Sequence, residues 1–103
     1  MRHFHRTSLH PDTVLATADA FFPSIGLRPA ASGARSRAYR GVVGTPDIPA
    51  TLELTVRMEG GHYTFVEANS DQMGESRLDR NVKRFFVQLH QQVDAAHTFA
   101  PSY

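Results

Sequence analysis

TLELTVRMEGGHYTFVEA, residues 51–68, is the stretch that decides the predicted fold. In its first half, apolar side chains alternate strictly with polar ones, which is typical of a strand with one buried and one solvated face. The apolar members are Leu52, Leu54, Val56 and Met58. Gly60-Gly61 then favours a tight turn, because glycine adopts positive φ values without steric cost. A second β-rich run, His62 to Ala68, completes a predicted β-hairpin.

A two-residue loop at Gly60-Gly61 predicts a definite register for this hairpin. The predicted pairs are Glu59 with His62, Met58 with Tyr63, Val56 with Phe65, and Leu54 with Glu67. Tyr63 and Phe65 therefore join the apolar face, and Glu67 is the one charged residue on it. The other face carries Thr51, Thr55, Thr64 and Val66. A slip of one residue would turn the whole apolar set outward, so the register is expected to be firm.

The remaining elements follow from hydrophobic periodicity and from the positions of proline and glycine. Residues 2–9 are predicted as a short edge strand, with a loose arm as the alternative, and 27–33 as a loop. Residues 34–43 are predicted as a poorly patterned edge strand, and 44–49 and 69–75 as connections. A first helix begins at Pro11 and stops at Pro23, with an apolar stripe of Val14, Leu15, Ala18, Phe21 and Phe22.

The last predicted helix begins at Ser76, which has capping spacing to Asp79. Its apolar stripe comprises Leu78, Val82, Phe85, Phe86, Leu89, Val93 and Ala96. This stripe is predicted to lie across the apolar face of the hairpin, and residues 99–103 form a tail. Asp79 and Lys83 have the spacing of a helical ion pair.

These elements predict one α+β domain over residues 1–103, in the order β-α-β-β-β-α, or α-β-β-β-α without the first strand. An antiparallel sheet of three or four strands would carry two helices on one face. The order resembles a shortened helix-grip (START-like) layout, in which a long C-terminal helix closes over a curved sheet. That resemblance concerns layout only, and it implies a small apolar-ligand carrier as one possible function.

Composition excludes several classes of function. The chain has no cysteine, so disulfides, thiolate chemistry and cysteine-based zinc sites are excluded, and a reducing, cytoplasmic location is favoured. Its 11 basic and 10 acidic residues give a net charge of +1, which provides no general attraction to nucleic acid or acidic membranes. No apolar run approaches the ~18 residues of a membrane span. The sequence calls for no cofactor.

Three sets of residues are candidates for a site, each with a plainer structural reading. Glu67 on an apolar face suggests an acid–base group, or else a solvated carboxylate at the end of the sheet. His90, Asp94 and His97 share a helix flank and include the residue types that bind zinc or nickel, although a solvated helix face is the favoured interpretation. Arg35, Arg37 and Arg40, with Tyr39, suggest a nucleic-acid surface or, preferably, an edge strand protected by charge.

The uncovered face of the sheet is a fourth candidate, because it suits a partner or a second copy of the chain. No nucleophile with a base and no phosphate-binding loop is present. The favoured function is therefore non-enzymatic protein–protein interaction or assembly, including self-association as a dimer. The alternatives are an apolar-ligand carrier, an acid–base enzyme using Glu67 and a histidine, and, last, nucleic-acid binding. Ligand contacts in the carrier would come from Met58, Tyr63, Phe65, Glu67, Phe85, Phe86 and Leu89.

Overall fold

The computed structural model describes residues 1–43, 48–72 and 76–99, with side chains left out at 43, 48 and 94–99. The elements in chain order are β1 (Arg2–Thr7), α1 (Pro11–Ser24), β2 (Leu27–Ser32), β3 (Ser36–Val43), β4 (Ile48–Glu59), β5 (Tyr63–Ser70) and α2 (Arg77–Phe99). No helix in these ranges is long and apolar enough to cross a membrane.

The five strands form one antiparallel sheet in the order β1-β5-β4-β3-β2, so the fold is α+β with two helices. The predicted strand near the start of the chain is confirmed as β1, which pairs with β5. The predicted strand count was too low, because the expected loop at 27–33 contains β2. Proline at position 29 favours a loop over a strand in the sequence. It is tolerated in β2 because β2 is an edge strand with a register shift between Pro29 and Ala31, where a missing N–H costs no ladder bond.

Both helices pack on one face of the sheet and close a single core. The predicted inward side chains of β4, Leu52, Leu54 and Val56, are all buried there. Aromatic rings join the layers, since the Phe22 ring lies 5.0 Å from Tyr39 on β3 and 5.0 Å from Phe85 on α2. The predicted stripe of α1 faces the core, and so does that of α2 at Leu78, Val82, Phe85 and Leu89, whereas the side chain of Ala96 lies outside the described residues. Neither of the described helices lies on the opposite face of the sheet.

The helix starts follow the predicted capping chemistry. Pro11 occupies the first turn of α1, where its missing N–H costs nothing, and the His10 ring accepts a bond from the Asp12 N–H at 3.2 Å. At α2 the Asp79 N–H donates to the Ser76 hydroxyl at 3.1 Å, and Lys83 Nζ lies 3.3 Å from Asp79 Oδ2. These local predictions are confirmed.

The predicted hairpin register is wrong by one residue. The loop contains three residues, Gly60, Gly61 and His62, and the glycines have φ values of +60° and +73°. The observed pairs are Glu59 with Tyr63, Met58 with Thr64, Val56 with Val66, and Leu54 with Ala68. The extra loop residue reverses the two faces of β5.

This reversal changes what each face of the sheet displays. Thr64, Val66 and Ala68 lie beneath the helices and are buried, whereas Tyr63, Phe65 and Glu67 lie on the open face. The buried positions accept small side chains because α2 fills the space above the sheet with large ones, such as Phe85 and Leu89. The open face is therefore more aromatic than the sequence pattern predicted.

Candidate functional site

Aromatic side chains cluster on the open face where β1 meets β5. The rings of Phe4 and Phe65 lie 5.4 Å apart, in a tilted contact. Phe4 is 53% exposed and Tyr63, at the start of β5, is 55% exposed. Exposed apolar groups that lie together on one surface are a feature of binding sites rather than of ordinary solvated strands.

Two arginines hold Phe65 between them. Arg6 and Arg57 lie directly opposite Phe65 on the neighbouring strands, with Cζ atoms 5.6 and 4.7 Å from the ring centroid. Glu59 contacts both guanidinium groups, at 3.0 Å from Arg6 Nε and 3.6 Å from the Arg57 terminal nitrogen. Each cation–π contact contributes roughly 0.5–1 kcal/mol at an exposed site. We name the set Phe4, Tyr63, Phe65, Arg6 and Arg57 the aromatic patch.

Two depressions in the surface follow β1 beside this patch. A shallow one of about 540 Å³ is lined by Phe4, His5, Arg6 and Phe65. A more enclosed one of about 200 Å³ lies between β1 and α2, and is lined by His5, Arg6, Thr7, Ser8, Tyr63, His90 and Val93. The two depressions share His5 and Arg6, so they continue from the open face around the free edge of β1.

The other side of β1 carries two histidines that contact α2. His3 Nε2 bonds the carboxylate of Asp79, which is only 1% exposed. The His5 ring stacks on Phe86 with centroids 5.0 Å apart. Burial lowers the pKa of His5 below its ordinary value of 6.5, and the nearby His90 lowers it further. These contacts hold β1, and with it the aromatic patch, against the body of the domain.

The lowered pKa of His5 predicts a loss of stability in acid. As the pH falls, the unfolded chain binds a proton at His5 before the folded domain does. The free energy of unfolding should therefore begin to fall below about pH 6.5 and continue to fall until His5 of the folded domain is protonated. His5→Gln should therefore show a smaller drop in the urea midpoint between about pH 7.5 and about pH 5.5 than the parent chain. His62→Gln, in the exposed hairpin loop, is the matched control. An equal drop in the parent chain and His5→Gln would contradict this prediction.

Glu67 does not lie on the face that the predicted register gave it. It projects from the open face opposite Phe4, and its Oε2 accepts a hydrogen bond from Asn69 Nδ2 at 2.9 Å. His3 and His5 point to the other face of the sheet, so the structure does not bring Glu67 together with either of them. The predicted ligand contacts do not surround one site. Phe85 and Leu89 are buried in the core, whereas Met58 is 46% exposed. Tyr63, Phe65 and Glu67 lie on the open face.

The predicted arginine run is divided between the two faces of the sheet. Arg37 lies on the helix side, where its Nε is 3.1 Å from the Asp19 carboxylate, and Tyr39 donates to the same carboxylate at 2.7 Å. Arg35 lies 3.9 Å from Asp12 in an exposed pair. Arg40 is on the open face, directly opposite Arg28. Tyr39 is fully buried, so it offers no ring on which a base could stack.

The predicted metal ligands are only partly described. His90 is exposed on α2, while the side chains of Asp94 and His97 lie outside the described residues. Within the part of the chain that the structure describes, no three histidine or carboxylate side chains are grouped to hold a metal ion. The histidines that do approach one another are His5 and His90, which sequence spacing alone does not relate.

Sequence reasoning missed the aromatic patch as a site. The sequence predicts a short edge strand at residues 2–9 without a role for Phe4, and it places Tyr63 and Phe65 on the apolar face of the hairpin. The signal in the sequence was the alternation Arg2-Phe4-Arg6, which places one aromatic ring between two guanidinium groups on one face of a strand.

Compared with known protein families and with curated proteins, the chain gives no match.

Proposed function

We propose that this chain is a non-enzymatic module that binds another protein through its aromatic patch. The observation that carries the proposal is the position of Phe65, which lies on the uncovered face of the sheet between two guanidinium groups. Aromatic residues and arginine are the types most enriched in protein interfaces and in the residues that dominate their binding energy.

The geometry of the patch also supports this function. Phe65 and Phe4 are held in place by cross-strand neighbours, so little side-chain entropy remains to be lost when a partner covers them. Glu59 holds both arginines by ion pairs, and their guanidinium groups lie over the Phe65 ring. The rings and the guanidinium groups are therefore arranged before a partner binds.

The alternative functions lack comparable support among the described residues. A carrier needs apolar residues that surround one cavity, but Phe85 and Leu89 line neither of the two depressions along β1. An acid–base enzyme needs its groups on the same side of the sheet, and Glu67 is separated from His3 and His5. The predicted nucleic-acid surface lacks its stacking ring, because Tyr39 is buried, and its Arg37 is paired with Asp19.

A selection experiment tests the proposal without a known partner. Immobilised chain is used to select binders from a library of displayed random peptides, and the binders are measured again on Phe4→Ser/Phe65→Ser. We expect affinity to fall at least tenfold, because the central anchors are lost. Val87→Ser, which removes a 55% exposed apolar side chain from α2, is the matched control and should leave affinity unchanged. Binders that tolerate the double substitution would contradict the proposal.

A second copy of the chain is the other occupant that the same surface admits. Sedimentation equilibrium over a wide concentration range separates the two cases, since one chain has a mass of 11.5 kDa. A dimer that disappears in Phe4→Ser/Phe65→Ser would make the partner another copy. A monomer that still selects patch-dependent peptides would identify the module as a binder of other proteins.

A further inference from the structure

The free edge of β1 offers a row of backbone groups beside the aromatic patch. The Ser70 N–H donates to the Met1 carbonyl at 2.8 Å, and bonded pairs in an antiparallel ladder occur at every second residue. His3, His5 and Thr7 therefore direct their N–H and C=O groups toward β5, whereas Arg2, Phe4 and Arg6 direct theirs away from the sheet. Within the described residues these outward groups have no partner.

The two edges of the sheet differ in their capacity to accept another strand. β2, at the opposite edge, contains Pro29, which has no N–H, and a register shift that interrupts regular pairing. Proline and bulges are the usual means of blocking an edge. β1 has six regular residues without proline, and its register with β5 is continuous from Arg2 to Thr7. β1 is thus the edge at which strand addition meets no backbone obstacle.

Charge determines which strand this edge fits. Arg2, Phe4 and Arg6 project from one face at alternate positions, so an added strand would place its own alternate residues beside them. Arg2 and Arg6 each use Nε within the domain, toward Asn69 and Glu59 at 3.0 Å. Their terminal nitrogens make no hydrogen bond within the described residues, and paired guanidinium nitrogens bind carboxylates well.

A second copy of β1 fits this edge poorly. Antiparallel pairing of two β1 strands about Phe4 places Arg2 of each copy opposite Arg6 of the other. Like charges in directly opposite positions are destabilising. An acidic strand with an apolar residue between two carboxylates has the complementary pattern.

Building on the proposed function, we propose that the partner contributes an extended acidic segment, with the pattern acid-x-apolar-x-acid, which adds to the sheet as a strand beside β1. Its backbone bonds Arg2, Phe4 and Arg6, its carboxylates meet the two guanidinium groups, and its central apolar side chain packs on Phe4. Strand addition of this kind gives affinity through the main chain and specificity through alternate side chains.

The probe is the blocked peptide TETFTET, compared by fluorescence anisotropy with TKTFTKT and with the rearranged TEETFTT. We expect TETFTET to bind at least tenfold more tightly than either. Methylation of its phenylalanine nitrogen, which removes a bond to the edge, should weaken binding about tenfold, the effect of about 1.4 kcal/mol. Methylation of the preceding threonine nitrogen, which faces away from the edge, should not.

Reversal of charge in the protein is the second test of strand addition at β1. Arg2→Glu/Arg6→Glu should lose affinity for TETFTET and gain affinity for TKTFTKT. An unfolded variant could not show this gain. Arg28→Glu/Arg40→Glu makes the same change in charge at the far edge and should leave the preference for TETFTET intact. If both double variants lose affinity for TETFTET equally, or if the two methylated peptides bind alike, the peptide is held by non-specific charge attraction. Strand addition at β1 would then be wrong.

The outcomes distinguish this inference from the proposed function. If TETFTET fails to bind while the library yields patch-dependent peptides of another pattern, the acidic strand is wrong and the interaction module stands. If no patch-dependent peptide is recovered and TETFTET also fails, both are wrong.

Discussion

Phe85→Ala is expected to lower the free energy of unfolding by about 3–5 kcal/mol, which makes it one of the two most damaging changes considered for this domain. Phe85 is fully buried on α2, and its ring contacts Phe21 and Phe22 of α1 at centroid distances of 5.8 and 5.0 Å. Truncation removes the ring that joins the two helices above the sheet. The loss combines the transfer free energy of the ring with the cost of the cavity that remains.

Urea unfolding followed by circular dichroism measures this effect. A domain of this kind has a total stability of about 5–15 kcal/mol, so the variant should lose a large share of it. Val87→Ala, two residues further along α2 but exposed, is the matched control and should change stability by less than about 0.5 kcal/mol. A loss below about 1 kcal/mol in Phe85→Ala would mean that this side chain does not join the helices to the core.

His3→Ala is expected to cost about 3 kcal/mol, because it leaves the buried Asp79 carboxylate without its nearest partner. The side chain of Asp79 is 1% exposed, and Asp79 also forms an ion pair with Lys83, which is largely solvated. A buried charge that loses its partner keeps its desolvation cost without the compensating attraction. The same change removes one of the two histidine contacts between β1 and α2, so the aromatic patch should become less ordered.

A double-mutant cycle isolates this interaction. His3→Ala/Asp79→Ala should be less damaging than the sum of its two single changes by about 1–3 kcal/mol, since both single changes remove the same His3–Asp79 interaction. His62→Ala, at the exposed hairpin loop, is the histidine control and should be nearly neutral. Strict additivity in the cycle would contradict a direct His3–Asp79 interaction.

Local patterns predicted the parts of the fold that are set within one element. The alternation of Leu52, Leu54 and Val56 identified the inner face of β4, because a strand with one buried face requires that period. The stripe containing Phe85 and Leu89 identified the buried face of α2. Ser76 and Pro11 marked helix starts through capping chemistry that depends only on neighbouring residues.

Contacts between distant residues were less accessible to sequence reasoning. Asp19 binds both Arg37 and Tyr39, but it belongs to α1 and comes about twenty residues earlier in the chain. No spacing rule relates a helix residue to a strand that folds beneath it. The arginine run therefore looked unpaired in sequence, whereas Arg37 is paired on the helix side of the sheet.

The sequence by itself determined that this chain builds a hairpin, two amphipathic helices and one α+β core. Only the tertiary structure decided which face of β5 is buried, because both sets of alternate residues contain apolar groups: Tyr63 and Phe65 on one, Val66 and Ala68 on the other. The large side chains of α2 leave room for the small set, and a three-residue loop at Gly60-Gly61-His62 supplies the matching register. Phe65 is thereby turned out between Arg6 and Arg57, and the aromatic patch exists because of that choice of register.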